Sequence, residues 1–202
     1  MNDMSTGYLD SGRSGQKRRT RDHLLAAARE LISGGDTPSV EEVAEAAGIS
    51  RTTAYRYFTS RTELLAAAFP ETRTTSALPD PAPEALDERV AAVADFVIDR
   101  IRATEPQQRA MLRLSLGDQP HELPLRQGRV IPWFAEALAP LSGSLDPAQV
   151  QRLAVALRAV CGIETRVWLT DIAGLTPDEV GNLQRWMIDA LVERSSAVPP
   201  PA

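Results

Sequence analysis

Apolar residues in the first third of the chain recur three and four positions apart, which is helical spacing. They predict a first helix that begins at Thr20 and ends at the Gly34-Gly35 pair. The preceding residues 1–19 lack this periodicity and are rich in Gly, Ser and charge, which predicts a flexible basic arm. The members of the apolar stripe are Leu24, Leu25, Ala28, Leu31 and Ile32.

Two short helices are predicted next, separated by a glycine turn. Ser39 and Glu42 have the spacing of a capping box, in which each side chain satisfies the other's free backbone N–H, so a second helix begins here. It ends at Gly48. Ser50 is the expected N-cap of a third helix, which runs through Phe58.

A fourth helix and a linker complete the N-terminal region. Ser60 and Glu63 repeat the capping pattern, and the helix ends near Phe69-Pro70. Residues 70–83 contain four prolines and little apolar content, which predicts a linker at 71–83 between two domains.

The rest of the chain is also predicted to be helical. Asp146 opens one long helix that ends at Gly174, and Thr176 opens the last helix. The fold class is therefore all-α: a three-helix helix-turn-helix domain within residues 20–70, a larger helical domain at 84–196, and a disordered tail at 197–202. The stripe of the long helix is Val150, Leu153, Ala154, Leu157, Cys161, Glu164 and Trp168.

Composition adds few constraints. The 202 residues are 43% hydrophobic and 24% charged, and no apolar run reaches the length of a membrane span. The N-terminus is polar and resembles no secretory signal, and a single cysteine allows no intrachain disulfide, so we expect a cytoplasmic protein.

Charge is distributed unevenly along the chain. The formal net charge is −5, yet residues 1–61 carry nine basic and eight acidic side chains. Residues 13–21 and 51–61 are two basic stretches, and neither contains an acidic residue. Local basic surfaces that attract phosphate are therefore compatible with an acidic protein.

The predicted third helix has two chemically different faces. At about 100° per residue, Ala54 and Phe58 fall on one side, and Thr52, Thr53 and Arg56 fall on the other. Arginine can pair with guanine through two hydrogen bonds, and threonine offers both a hydroxyl and a methyl group to base edges. The second helix of a helix-turn-helix lies in the major groove, so the outward face is the candidate base-reading surface.

The same segment resembles the N-terminal domain of TetR family regulators over about fifty residues. The match consists of Ser39, Ala47-Gly-Ile-Ser50, Tyr55-Arg-Tyr-Phe58 and Arg61-Thr-Glu-Leu64, in that order. Arg61 departs from the lysine that is more frequent in the family, although both are cationic. The resemblance, together with the exposed basic residues of the third helix, implies a set of DNA-contacting residues: Ser39, Ser50, Arg51, Thr52, Thr53, Tyr55, Arg56, Tyr57 and Arg61.

The resemblance also implies a homodimer that pairs through its last two helices, and a small-molecule effector site in the larger domain. Apolar residues and one glutamate on the helical stripes are the candidate lining, although such residues are more often ordinary core. Glu164 has a second interpretation, in which it pairs with Arg158 or Arg113. The candidate effector-binding residues are Met111, Leu112, Phe134, Glu164 and Trp168.

No residue pattern favours catalysis, a cofactor or a metal. There is no Gly-rich phosphate loop and no arrangement of nucleophile, base and acid. His23 and His121 lie far apart without ligand partners at suitable spacing, and Cys161 is best interpreted as a small apolar residue. The resemblance implies a repressor released from a palindromic operator by a small molecule. The alternative is a helix-turn-helix regulator that is constitutive or controlled by a protein partner.

Overall fold

A computed structural model describes residues 6–68, 75–116 and 130–201. Within these ranges the regular elements are all helical and no strand occurs, which confirms the predicted all-α class. A 3₁₀ turn at Ala139–Gly143 and a π-helical turn at Trp168–Ile172 supplement the α-helices. The α-helices are α1 (Thr6–Ser33), α2 (Val40–Ala46), α3 (Arg51–Tyr55), α4 (Arg61–Ala68), α5 (Leu86–Ala103), α6 (Glu105–Ser115), α7 (Val130–Ala137), α8 (Pro147–Cys161), α9 (Ile163–Val167) and α10 (Pro177–Ala197).

The chain divides into two compact units. The first contains residues 1–71 together with 113–125, and the second contains residues 72–112 and 126–202. In the part of the chain that is described, no helix is long and apolar enough to cross a membrane.

The first unit packs α1, α2, α3 and α4 around one apolar core. The predicted stripe of α1 contributes Leu24, Leu25, Ala28 and Ile32, all of which are buried. Arg29 of α1 also donates from Nε to the carbonyl oxygen of Ala68 at 2.7 Å, which satisfies a backbone group at the end of α4. The core of this unit is therefore the one that helical periodicity predicts.

Helix α1 begins earlier than the sequence predicts, at Thr6 rather than Thr20. The added turns are held by local bonds, including one from the Thr20 hydroxyl to the Gln16 carbonyl at 3.0 Å. Side chains 16–19 are exposed, so this last part of the added helix buries no apolar face. Apolar periodicity detects only the packed part of a helix, which explains the misplaced start.

The core of the second unit is formed mainly by α5, α7, α8 and α10. Ala77 and Leu78 also pack against it, so part of the predicted linker lies on the surface of this core. Arg89 of α5 donates to the carbonyl oxygens of Ala137 and Glu136 at 3.1 and 2.8 Å, which satisfies the C-terminal end of α7. The fully buried residues of this core include Val93, Phe134, Ala137, Leu138, Ala154 and Leu157.

The prediction of one long helix from Asp146 to Gly174 is wrong, because the helix is interrupted at Gly162. Gly162 is extended, with φ −72° and ψ 164°, and a π-helical turn follows α9. A Cβ atom at this glycine would lie only 2.3 Å from Arg158 Nη1, so the chain and the Arg158–Glu164 ion pair approach closely here. The apolar stripe continues across the glycine, and for that reason the interruption was not visible in the sequence.

Candidate nucleic-acid interface

Helices α2 and α3 are joined by a tight turn at Gly48. This glycine has φ +63°, a left-handed conformation that side chains other than glycine rarely adopt. The turn is closed by a hydrogen bond from Ile49 N to the Ala44 carbonyl at 2.9 Å. The arrangement is a helix-turn-helix, as the sequence predicts.

Two of the candidate DNA-contacting residues are helix caps in the structure. Ser39 Oγ accepts from Glu42 N at 3.2 Å, while Glu42 Oε2 accepts from Ser39 N at 2.6 Å, which completes the predicted capping box. Ser50 Oγ accepts from Thr53 N at 3.3 Å and donates to Thr53 Oγ1 at 2.8 Å. Both serine hydroxyls therefore hold the starts of α2 and α3.

The inward face of α3 is the predicted one. Ala54 and Phe58 are buried, and the guanidinium of Arg21 lies 5.6 Å from the centre of the Phe58 ring. The helix itself is shorter than predicted and ends at Tyr55, since Arg56 N and Tyr57 N bond to carbonyls only three residues back, those of Thr53 and Ala54, in a tightened last turn. Phe58 thus anchors the chain after α3 has ended.

The outward face carries the candidate base-reading residues. Thr52 and Arg56 are exposed, and Thr53 and Tyr57 are half-buried. Arg61 is exposed at the first position of α4. Threonine and arginine side chains are therefore accessible on one side of the helix-turn-helix, opposite the side that anchors it.

The remaining two candidates, Arg51 and Tyr55, have a partner that the sequence does not reveal. Arg51 Nη2 and the Tyr55 hydroxyl both donate to one oxygen of Glu41, at 2.9 and 2.7 Å. Residues 51–61 contain no acid, but the fold brings this carboxylate from α2 to the start and end of α3. The stretch is free of acids in the sequence, but the surface that it forms includes this carboxylate.

Glu41 is strongly biased towards its charged form. The hydrogen bond from Tyr55, followed by the one from Arg51, lowers its pKa from 4.5 to about 2. The same contact raises the pKa of Tyr55, so the phenol keeps its proton and donates. At neutral pH the cluster is a carboxylate with two donors.

Comparison with known proteins agrees with this geometry. The family model of bacterial regulatory proteins of the tetR family matches residues 24–68, which contain the C-terminal part of α1, the helix-turn-helix and α4. The N-terminal domain belongs to the tetR family.

A transcriptional repressor and several solved structures are also similar to this chain. The HTH-type transcriptional repressor LfrR of Mycolicibacterium smegmatis is 41% identical over 54 residues, which span 27% of this chain and 29% of the repressor. Among solved structures, NalD of Pseudomonas aeruginosa is 23% identical with a TM-score of 0.53, covering 86% of this chain and 96% of NalD. A TetR-family regulator from Rhodococcus sp. is 22% identical with a TM-score of 0.58, covering 86% and 98%. At these identities the two structures show a shared fold.

The basic arm that precedes the tetR-family domain lies on α1 where it is described. Lys17, Arg18 and Arg19 are exposed there, and Arg19 Nε bonds only to the Gly15 carbonyl of its own helix, at 3.4 Å. These side chains are accessible to phosphate, and a contact with DNA stays a prediction.

The five candidate effector-binding residues occupy different environments. Phe134 is buried within the core of the second unit and Met111 is buried on α6, whereas Trp168 is 57% exposed on the π-helical turn. Leu112 is half-buried. Glu164 forms an ion pair with Arg158 at 2.8 Å. Arg158 is one of the two partners that the sequence suggested for this glutamate.

A partly buried charge cluster in the second unit, in which only Arg166 is fully enclosed, was missed by the sequence analysis. Glu105 of α6 accepts from Arg166 Nε at 2.6 Å and from Arg109 Nε at 2.8 Å. Arg109 also forms a bidentate pair with Asp171 at 2.6 and 2.7 Å. Only the Glu105–Arg109 spacing of four residues was visible in the sequence.

The two arginines decide the ionisation of these acids. Burial opposes the charge of Glu105, but the hydrogen bonds from Arg166 and Arg109 outweigh it, so the pKa of Glu105 is lowered. The Arg109 and Thr170 hydrogen bonds lower the pKa of Asp171 to about 2. Arg166 is buried, and its Nη1 has no hydrogen-bond partner among the described residues. Both carboxylates of the cluster are thus ionised at neutral pH.

Neither a metal nor a reactive thiol is indicated in the part of the chain that can be described. No group of three possible ligands occurs there, and His121 lies outside it. Cys161 is buried, and burial raises the pKa of its thiol to about 12. It therefore behaves as the small apolar residue that the sequence predicts.

Proposed function

We propose that this protein is a DNA-binding transcriptional regulator that reads its operator with α3. The observation that carries the proposal is the exposed face of Thr52 and Arg56 on a helix whose other side is anchored by buried Ala54 and Phe58. In this arrangement Arg56 and the threonines meet base edges in the major groove. Tyr57 and Arg61 meet the phosphate backbone, which positions the protein without specifying sequence.

A dimer is part of the proposal, since one helix-turn-helix reads too few base pairs for a unique site. Helices α8 and α10 supply the candidate interface. Trp186 of α10 is 66% exposed and Val155 of α8 is 43% exposed, while Leu183 and Met187 beside Trp186 are only half-buried. Exposed tryptophan and aliphatic side chains on neighbouring helices are typical of a surface that a second copy covers.

The dimer proposal is tested by Trp186→Glu. We expect a shift from dimer to monomer in light scattering, together with loss of operator affinity, because a charge replaces the largest apolar side chain at the interface. Ser196→Glu adds the same charge at another exposed position of α10 and should stay dimeric. A dimeric Trp186→Glu would exclude this face.

We further propose that the protein is a repressor released from a palindromic operator by a small molecule bound in the second unit. LfrR is named as a repressor, and NalD is named as the secondary repressor of a multidrug efflux pump. Both names support repression as the mode. Met111 and Phe134 are the apolar candidates for contact with the effector, and both are buried.

The decisive experiment is a selection of binding sites from random duplexes with the purified full-length protein, followed by a salt titration on the enriched sequence. An enriched palindrome with a steep loss of affinity at higher salt supports the regulator. No enrichment by folded, dimeric protein contradicts it. Screening small molecules for release from that palindrome then distinguishes an effector-controlled regulator from one that is constitutive or controlled by a protein partner.

A further inference from the structure

Glu41, Arg51 and Tyr55 form a closed contact on the surface proposed to meet DNA. Arg51 and Tyr55 are four residues apart, so they lie on the same side of α3, and both donate to the same Oε1 atom of Glu41. The side chain of Arg51 is 72% exposed and that of Glu41 is 32% exposed. The contact is thus made at the surface, where a second anion has access to it.

A DNA phosphate and the Glu41 carboxylate are equivalent hydrogen-bond acceptors for Arg51 and Tyr55. Each is an anionic oxygen acceptor, and a guanidinium or phenol that turns to a phosphate must leave the carboxylate or share itself between the two anions. Glu41 stays ionised at neutral pH, because its hydrogen bonds hold its pKa near 2. Once its donors have turned away, its negative charge would face the backbone uncompensated.

We propose that Glu41 competes with the DNA backbone for Arg51 and Tyr55, and thereby lowers the affinity of the protein for duplex DNA of any sequence. This inference rests on the proposed function. The inference deepens that function, because an acidic residue then limits sequence-independent binding while Arg56 and the threonines retain base discrimination. A regulator that binds all DNA less tightly is less often held at sites that are not its operator.

The test is Glu41→Gln, measured on an unrelated duplex and on the selected operator across a salt series. We expect about fivefold tighter binding to both duplexes, because the exposed pair that must be broken is weak and the repulsive charge is gone. The plot of log affinity against log salt should become steeper by about one phosphate contact. The ratio of the two affinities should change little.

Glu45→Gln is the matched control. Glu45 is exposed on the same helix, the substitution removes the same charge, and its side chain has no hydrogen bond to any residue described. A gain of the same size in both variants would overturn the proposal, since it would reflect net charge alone. Weaker binding by Glu41→Gln would also overturn it, because Glu41 would then orient the donors for DNA.

A double-mutant cycle locates the effect. In a background of Arg51→Gln with Tyr55→Phe, Glu41→Gln should tighten binding no more than Glu45→Gln does in the same background, because the donors for which it competes are gone and only the loss of a negative charge remains. An undiminished gain would overturn the mechanism. Wild-type protein that binds no duplex even at low salt would overturn the proposed function as well, which separates the two failures. Circular dichroism checks that each variant retains its helices.

Discussion

Arg56 and Arg61 have the same side chain and are both exposed, yet their positions in the fold imply different roles. Arg56 is the C-cap residue of α3, on the outward face, whereas Arg61 begins α4 outside the helix-turn-helix. Periodicity alone predicted that Ala54 and Phe58 point inward, and the structure agrees. The direction of a side chain on a short helix is a local property, so it can be derived from residue spacing.

At this scale we predict that Arg56→Ala weakens operator binding about tenfold or more and relaxes discrimination at one base pair. Arg61→Ala should weaken binding to all duplexes and reduce the salt slope by about one. Competition binding with single-base operator variants measures both effects. Arg102→Ala, which removes an exposed arginine of α5, is the control. Equal losses that do not depend on sequence would remove Arg56 from base reading.

At the scale of elements, the turn between α2 and α3 depends on a single glycine. A Cβ atom at Gly48 meets nothing within 4 Å, so the only obstacle to a side chain is the left-handed backbone. Gly143 has equally open space without that conformation.

The two glycines therefore form a matched pair. We expect Gly48→Ala to destabilise the helix-turn-helix by about 1–2 kcal/mol and Gly143→Ala to have a small effect. Hydrogen exchange over residues 40–58 is the suitable measurement, because the three tryptophans all lie in the second unit. Equal protection in the two variants would show that the turn tolerates alanine.

The charge cluster of Glu105, Arg109 and Arg166 joins α6 to α9 within the second unit. Removing the carboxylate leaves the side chain of Arg166 buried without the one partner that it has among the described residues, and an unpaired buried charge costs far more than the pair contributes. Arg166 Nη1 is already without a partner, so the residue has no spare bond to compensate.

We expect Glu105→Gln to lower the free energy of unfolding of the second unit by about 3 kcal/mol. Tryptophan fluorescence during urea unfolding reports this unit selectively. Glu88→Gln removes a charge from an exposed position of α5 and should change the midpoint little. If the two variants unfold at the same urea concentration, the cluster does not stabilise the unit.

For the whole molecule, several carboxylates have lowered pKa values, namely those of Glu41, Glu42, Glu105, Asp171 and Glu179. A lowered pKa means that the folded state binds protons less readily than the unfolded state. The stability from these groups is therefore complete above about pH 5, where unfolded carboxylates are ionised, and is lost as the pH falls towards 2.

We accordingly predict a urea midpoint that is nearly constant from pH 7 to 5 and falls steeply between pH 5 and 3. Circular dichroism reports both units in this measurement. The Glu105→Gln variant should show a shallower decline, because one of the titrating groups is absent. A midpoint that rises on acidification would contradict the sign of these shifts.

The sequence by itself determined the all-α class, the helix-turn-helix and its tetR-family membership. The capping box at Ser39, the start of the last helix at Thr176 and the stop at Gly48 were also predictable, because caps, turns and apolar stripes are encoded within a few consecutive residues. Only the tertiary structure decided the break at Gly162, the Glu41 contact with Arg51 and Tyr55, and the cluster around Glu105. Glu41 and Arg51 are 10 residues apart and Glu105 and Arg166 are 61 apart, so helix packing alone brings these charges together.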